Sequence, residues 1–256
     1  MLERFGRKML KAVILAAGKG TRMKSDLPKV VHEILGKPLV YYAMKAAKEA
    51  GAEEICVVVG YGADLVQEKV KQAAEELKLK VDFALQREQL GTGHAVRCAK
   101  EFIGEEGQTM ILFGDTPLIT GRTLKELLEF HKEKQNGITV LSTVVENPSG
   151  YGRIVRKNGA FVKSVEDKDA TPEEKEIQEI NSGMYLFESK LLYETLDLIK
   201  NHNAQREYYL PDTLTIVKNL GTGTVDAMKT GNYEEILGVN TLEQLKSVEE
   251  ILRARG

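Results

Sequence analysis

Five short apolar runs in the first 145 residues alternate with segments of helical period, and that alternation leaves few folds open. Residues 11–15 (KAVIL) read as a buried strand closed by Ala16-Ala17-Gly18. Residues 39–50 carry Leu39, Ala43, Ala46, Ala47 and Ala50 on one helical face, with Gly51 as the stop. Strands at 54–59, 81–85, 109–113 and 138–145 interleave with helices at 63–77, about 93–102 and 123–133. Strand–helix–strand units at this spacing imply crossover connections, and hence an open, doubly wound, mainly parallel α/β sheet.

The rhythm changes after residue 150. Apolar runs at 153–156 and 161–165 flank Lys157-Asn158-Gly159, and Asn-Gly between such runs is a strong hairpin signal. The charged stretch 167–179, which carries Pro172, reads as a surface excursion. A strand is expected at 184–187, helices at 190–199 and 210–218, and a late strand at 225–228. Thr241-x-x-Gln244 predicts a capping box opening a final helix with Leu242, Leu245, Val248 and Leu252 on its apolar face.

Composition narrows the function classes. The net charge of -2 argues against broad nucleic-acid or membrane-surface binding, which requires a basic face. Any anionic ligand must be held by a few placed cations. No apolar run approaches the ~20 residues that span a bilayer. The start, MLERFGRKML, has no apolar stretch of signal-peptide type, and Met9 is an alternative start just before the first strand. Cys56 and Cys98 lack C-x-x-C spacing, which excludes zinc and dithiol readings and suits buried thiols in a reducing cytoplasm. His32, His94, His131 and His202 lack metal-ligand spacing and read as packing or surface residues.

The segment 15–23 (LAAGKGTRM), followed by Pro28-Lys29, sits at the carboxyl end of the first strand, where open sheets bind ligands. Gly18 and Gly20 permit a tight turn whose N–H groups can approach an anion, and Arg22 and Lys29 supply positive charge. Gly-x-Gly alone is equally a plain turn. The dinucleotide fingerprint fails because Met23 holds the third glycine position, and the P-loop pattern is absent. Asp115 follows the apolar run Met110-Ile111-Leu112-Phe113 and Gly114, so it projects from a strand's carboxyl end, a position suited to a magnesium ligand.

The string LAAGKGTRM…LPK resembles the sugar-phosphate nucleotidyltransferases. LQREQLGTGHA, FGDTPLI, GYGRI, QEINSG and NAQREYYLPD narrow the resemblance to the uridyltransferase domain of bacterial N-acetylglucosamine-1-phosphate uridyltransferases, over residues 11–255. This implies a Rossmann-like nucleotidyltransferase fold with a hairpin-containing sugar-binding subregion. It divides the chain into an extension at 1–10, a domain at 11–240 (nucleotide half 11–120, sugar half 121–240) and a terminal helix at 241–256. It implies that Leu15, Ala16, Ala17 and Gly18 approach the base and ribose. Gly20, Arg22 and Lys29 would face the phosphates, the last two as catalytic cations, and Gln86, Gln89, Gly91 and Thr92 would form the wall that reads uracil. Gly152, Glu166 and Asn181 match the sugar positions, and Tyr151, Arg153 and Tyr208 are expected near the pocket without an assigned role. Mg²⁺ would be held by Asp115 and Asn240; on its own residues, Asn240 reads only as a polar flank of the last helix.

The activity implied is transfer of the uridylyl group of UTP to N-acetylglucosamine 1-phosphate, releasing pyrophosphate and supplying a cell-envelope (peptidoglycan) precursor in the cytoplasm. The sugar phosphate is already anionic, so no general base is required. Charge neutralisation and positioning carry the step. The β-helical acetyltransferase domain that many members carry has no counterpart in this sequence, so acetyl transfer is not expected, and the oligomeric state stays open. Two rivals stand beside this reading: the same chemistry on another sugar 1-phosphate such as glucose 1-phosphate, and a non-catalytic sugar-nucleotide sensor. A nicotinamide dehydrogenase is disfavoured by Met23.

Overall fold

Every residue of the first strand, β1 (Leu10–Ala16), is buried, because it lies in the interior of the sheet with layers on both faces. The computed structural model describes residues 8–255; most of the extension expected at 1–10, including Met1, lies outside them. From β1 the chain passes through the two-residue strands β2 (Glu33–Ile34) and β3 (Lys37–Pro38), then α1 (Leu39–Ala50), β4 (Glu54–Val59), α2 (Ala63–Leu77) and β5 (Val81–Leu85). There follow α3 (Thr92–Cys98), α4 (Lys100–Ile103), β6 (Gln108–Phe113), α5 (Gly121–Glu133) and β7 (Ile138–Val144). The remainder holds the hairpin β8 (Arg153–Lys157) and β9 (Ala160–Val165), the single turn α6 (Pro172–Lys175), β10 (Glu179–Glu188), α7 (Ser189–Thr195), α8 (Asp212–Leu220), β11 (Val225–Lys229) and α9 (Leu242–Arg255).

The main sheet has the order β11-β7-β10-β6-β1-β4-β5, with the β8–β9 hairpin attached to β10. β4 and β6 lie parallel to β1, β5 to β4, and β11 to β7, whereas β10 is antiparallel to both β6 and β7. Only β10 is therefore reversed along this path, and the doubly wound, mainly parallel α/β sheet expected from sequence is the architecture found.

Period-2 alternation divides the core. Ala12, Ile14 and Ala16 face α1, α2 and α5, together with Met110 and Leu112 of β6. Val13 and Leu15 face the other way, toward α3, α7 and α8, with Ile111 of β6. The chain leaves β1 toward β4 and β5, then returns to β6 on the opposite side of β1. The switch point lies between β1 and β6, whose carboxyl ends are tied by Gly114 N–H donating to Leu15 O at 2.9 Å. A third cluster joins Met23, Ile34, Leu39, Leu118 and Val239 to Val248 of α9, so the last helix packs on the loop that follows β1.

Several expectations are corrected. The helix predicted at 93–102 is two helices broken at Ala99. The strand predicted at 184–187 spans Glu179–Glu188, because its first residues pair with β7 before a bulge between Asn181 and Tyr185. Glu179 is accordingly no surface residue: it is buried and held by Ser142 and Arg156. The rest of that excursion contains α6, with a full capping box between Thr171 and Glu174. The helix expected at 190–199 ends at Thr195 and continues as a 3-10 turn. The box at Thr241 is half formed: Gln244 N–H donates to Thr241 Oγ1 at 3.2 Å, but Gln244 Oε1 accepts from the Asn240 N–H. Leu242 is exposed in the first turn of α9. The Asn158-Gly159 hairpin has both residues at positive φ, as an Asn-Gly turn requires.

Candidate functional site

Two neighbouring cavities open along the carboxyl edge of the sheet. The first, about 310 Å³, is lined by Leu15, Ala16, Ala17, Gly18 and Lys29 from the loop after β1, by Gln86, Gln89, Gly91 and Thr92 from the loop after β5, and by Asp115 after β6. The second, about 200 Å³, gathers Gly152, Glu166 and Asn181 with Tyr151. Thr92 and Phe113 line both, so the cavities adjoin.

The first cavity is held in shape by its own hydrogen bonds. Gln89 Nε2 donates to Ala17 O at 2.6 Å, bridging the two loops. Gln86 is buried, and its amide nitrogen lies 3.2 Å from both Gly91 O and His94 Nδ1. Its donors are spent on the protein, and the amide oxygen is what it can offer a ligand. Gly91 N-caps α3 at φ +105 and lies against the Tyr208 carbonyl. Gly93 N–H donates to Tyr208 O at 2.7 Å, and Thr92 Oγ1 accepts from Leu210 N–H at 3.1 Å. The segment before α8 is thus strapped to the wall of the cavity.

The cations and the oxygen ligands form one cluster. Lys29 Nζ pairs with Asp115 Oδ2 and donates to Asn240 Oδ1 at 3.0 Å. Arg22 Nη2 donates to the same Asn240 oxygen at 2.9 Å. Asn240 Nδ2 points back to Gly238 O, which leaves its oxygen facing the cations. The approach to α9 is fixed by Val239 N–H donating to Asp115 O at 2.8 Å, so residues far apart in sequence hold a constant relation. Of the residues expected at the nucleotide, Gly20 and Arg22 do not line the first cavity; Gly20 packs against the Lys29 side chain, and Arg22 bonds Asn240 instead.

In the second cavity, a β-carbon on Gly152 would lie 3.2 Å from Glu166 Oε1, a tight contact that the carboxylate would have to yield to. Burial, then the nearby carboxylates of Asp212, Asp169, Asp167 and Glu207, push the Glu166 carboxyl up to about 7. Burial, then Asp169, raises Asp212 to about 6. Asn181 sits in the bulge of β10: its Oδ1 accepts from Gly183 N–H, and its Nδ2 lies 3.0 Å from Ser164 Oγ and 2.7 Å from Tyr185 Oη. Tyr151 lines the second cavity and has its phenol raised chiefly by burial, with Arg22 lowering it and Asp115 raising it.

Arg153 does not face the cavity as expected. Its guanidinium is buried and bound to Asp167 and to backbone carbonyls, because a charge so enclosed must find partners within the fold. Tyr208 stacks its ring on Arg97, 4.9 Å from the guanidinium carbon, and contributes backbone rather than side chain. Phe113 and Glu207 line the first cavity and were not picked out in advance, although both lie inside the motifs FGDTPLI and NAQREYYLPD. Cys56 is buried in β4, its thiol pushed up to about 12 by burial and then by Asp82. His131 is buried with Nδ1 2.8 Å from Thr139 Oγ1, and His32 Nδ1 lies 3.1 Å from Lys29 O.

The donor set bears on metal chemistry. Among the described residues, no group of three or more His, Cys, Asp or Glu is gathered around one point. Asp115 and Asn240 offer two hard oxygens that already converge on one cationic group, the Lys29 ammonium. Such a pair fits a cation like Mg²⁺, which keeps waters and takes its remaining ligands from phosphate. Among the described residues, no helix is long and apolar enough to cross a membrane.

Comparison with known proteins bears on the family and the fold. The family model described as nucleotidyl transferase matches residues 11–236. The chain is 50% identical over 247 residues to the bifunctional protein GlmU of Caldanaerobacter subterraneus subsp. tengcongensis, covering 96% of this chain and 52% of that protein. It is 51% identical over 246 residues to the bifunctional protein GlmU of Clostridioides difficile, with the same shares covered. The chain thus spans about half the length of the curated relatives it matches. A solved UDP-glucose pyrophosphorylase complexed with UDP-glucose superposes with a TM-score of 0.77 at 22% identity, over 97% of this chain and 100% of that one. A glucose-1-phosphate thymidylyltransferase structure from Bacillus anthracis, described as putative by its authors, gives the same TM-score at 19% identity, over 95% of each chain. These two likenesses concern the fold. With the family model covering nearly all of the sheet and both cavities, the chain belongs to the nucleotidyl transferase family.

Proposed function

We propose that the protein transfers the uridylyl group of UTP to N-acetylglucosamine 1-phosphate, giving UDP-N-acetylglucosamine and pyrophosphate. The observation that carries this reading is the pairing of the two cavities, which share Thr92 and Phe113 and lie beside the Lys29, Arg22, Asp115 and Asn240 cluster. One cavity has the walls for a nucleoside; the other is small, with the polar groups of Glu166, Asn181 and Ser182 set among apolar walls, and suits a sugar. The relatives that are 50% and 51% identical to this chain, over 52% of their own length, are named bifunctional protein GlmU.

In this reading the uracil lies against Gln86, whose free amide oxygen accepts from the base N–H, and against Gln89, with Gly91 and Thr92 completing the wall. Leu15, Ala16, Ala17 and Gly18 line the nucleoside side, and Gly20 sets the loop against Lys29. A phosphate oxygen of the sugar 1-phosphate attacks the α-phosphorus in line. One P–O bond forms, the bond to the bridging α,β-oxygen breaks, and pyrophosphate departs with that electron pair. Arg22 and Lys29 move from Asn240 to the phosphates and offset the repulsion of two polyanions. Asp115 and Asn240 would hold Mg²⁺, which supplies further charge neutralisation at the phosphates. Gly152, Glu166 and Asn181 seat the sugar, with the Gly152 backbone beside its acetamido group. UTP as donor and two free thiols, Cys56 and Cys98, suit the cytoplasm.

The test is pyrophosphate release from UTP against a panel of sugar 1-phosphates. N-Acetylglucosamine 1-phosphate is expected to give the highest kcat/KM. A clear preference for glucose 1-phosphate overturns the sugar assignment, and UTP binding without release from any sugar overturns the enzymatic one.

A further inference from the structure

Asp115 is mostly enclosed, with a side chain 16% exposed, and among the described residues Lys29 is the only cation within ion-pair distance of it. The same ammonium holds Asn240 Oδ1 at 3.0 Å. The two oxygens that suit a divalent cation are therefore bridged by a monovalent one built into the chain. We infer that Lys29 is a resident counter-ion of the Asp115–Asn240 pair in the nucleotide-free protein, and that a divalent cation gains these oxygens only when a triphosphate draws the ammonium away. This rests on the metal assignment made above and adds an order of events to it.

The physical grounds are charge and reach. A part-buried carboxylate without a partner is costly, so Asp115 retains some cation at every stage. A divalent cation seated on these two oxygens while the ammonium stayed between them would meet its positive charge at close range. The Lys29 stem is fixed at its base, where Gly20 leaves no room, as a β-carbon there would lie 2.6 Å from Lys29 Cβ. Its tip, on a four-carbon stem, remains free to pivot. Lys29 also lines the cavity assigned to the nucleotide, so the phosphates offer the ammonium a new partner within a side-chain swing. Arg22, which is exposed and shares the Asn240 oxygen at 2.9 Å, adds to the barrier against a bare cation.

The experiment measures Mn²⁺ binding by electron paramagnetic resonance without turnover: with no nucleotide in the wild type, in Lys29→Met and in Lys29→Met/Asp115→Ala, and both with and without UTP for Asp115→Ala beside the wild type. Lys29→Met is expected to bind Mn²⁺ at least about tenfold more tightly than the wild type, and the added Asp115→Ala is expected to abolish that gain. Equal or weaker binding by Lys29→Met overturns the counter-ion role. If Asp115→Ala leaves Mn²⁺ binding unchanged in the wild-type background, both with and without UTP, the metal assignment itself is wrong, a distinct failure. Should Lys29→Met not fold, wild-type crystals decide the matter. Soaked in Mn²⁺ alone they should show no ion on Asp115, and soaked with Mn²⁺ and UTP they should show one, with Lys29 displaced. An ion seated on Asp115 while Lys29 still bonds Asn240 overturns the proposal.

Discussion

A β-carbon on Gly20 would sit 2.6 Å from Cβ of Lys29, and Gly20 holds φ at +66°. The glycine is where the loop passes the lysine stem, so it fixes the position of the ammonium instead of touching a ligand itself. Gly20→Ala meets both a close contact and a left-handed backbone. It is expected to displace Lys29 and cut kcat by about tenfold or more, with a smaller change in the KM for the sugar phosphate. Steady-state kinetics in both substrates measure the split.

Asp115→Ala removes one of the two oxygens suited to Mg²⁺ and leaves Lys29 with Asn240 alone. Loss of electrostatic stabilisation at the reacting phosphates is expected to lower kcat by about 10²–10³-fold. The fold should survive, because the Asp115 backbone still accepts from Val239 N–H. Circular dichroism and pyrophosphate release on one preparation check both halves; full activity in magnesium would remove Asp115 from the chemistry.

Glu166 makes stability depend on pH. Its carboxyl is raised from 4.5 to about 7 in the folded protein, chiefly by burial and then by Asp212. Between those values the unfolded chain has lost the proton while the folded one keeps it, so stability falls as pH rises through the window. Glu166→Gln abolishes this titration. Its melting temperature relative to wild type is expected to be higher at pH 8 than at pH 4, and a pH-independent difference would show that Glu166 ionises normally.

Met23 fills the position where a dinucleotide fingerprint has its last glycine. It is 1% exposed and packs with Leu39, Val239 and Val248. Met23→Ala is expected to cost about 2–5 kcal/mol of stability. Because Val239, the residue before Asn240, packs in the same cluster, catalytic efficiency should fall in the same variant even at temperatures where the fold is intact. Chemical denaturation paired with kinetics at low temperature tests this.

Local signals carried much of the fold. The alternation of apolar runs with helical faces gave the parallel βα core, and Asn158-Gly159 gave the hairpin, because each depends on residues close in sequence. The direction of β10 was not legible, since period 2 is blind to orientation. Its length was obscured by the bulge at Asn181, where Gly183 at φ +79° lies against the Phe113 ring. The break at Ala99 has no glycine or proline to announce it. In the site, the loop residues are contiguous and were readable as a motif. Arg153 was misplaced because burial by Asp167 and the carbonyl of Lys175 is a tertiary fact. Asn240 acquires its meaning only through Arg22 and Lys29, more than two hundred residues away, which no local pattern encodes.

Phosphorus NMR on a single sample of the wild-type protein with UTP, N-acetylglucosamine 1-phosphate and Mg²⁺ bears most directly on the two adjoining cavities as a site of uridylyl transfer. Signals of a sugar nucleotide diphosphodiester and of pyrophosphate should rise together as those of both substrates fall. Persistence of both substrates, or appearance of UMP without a sugar nucleotide, would contradict it.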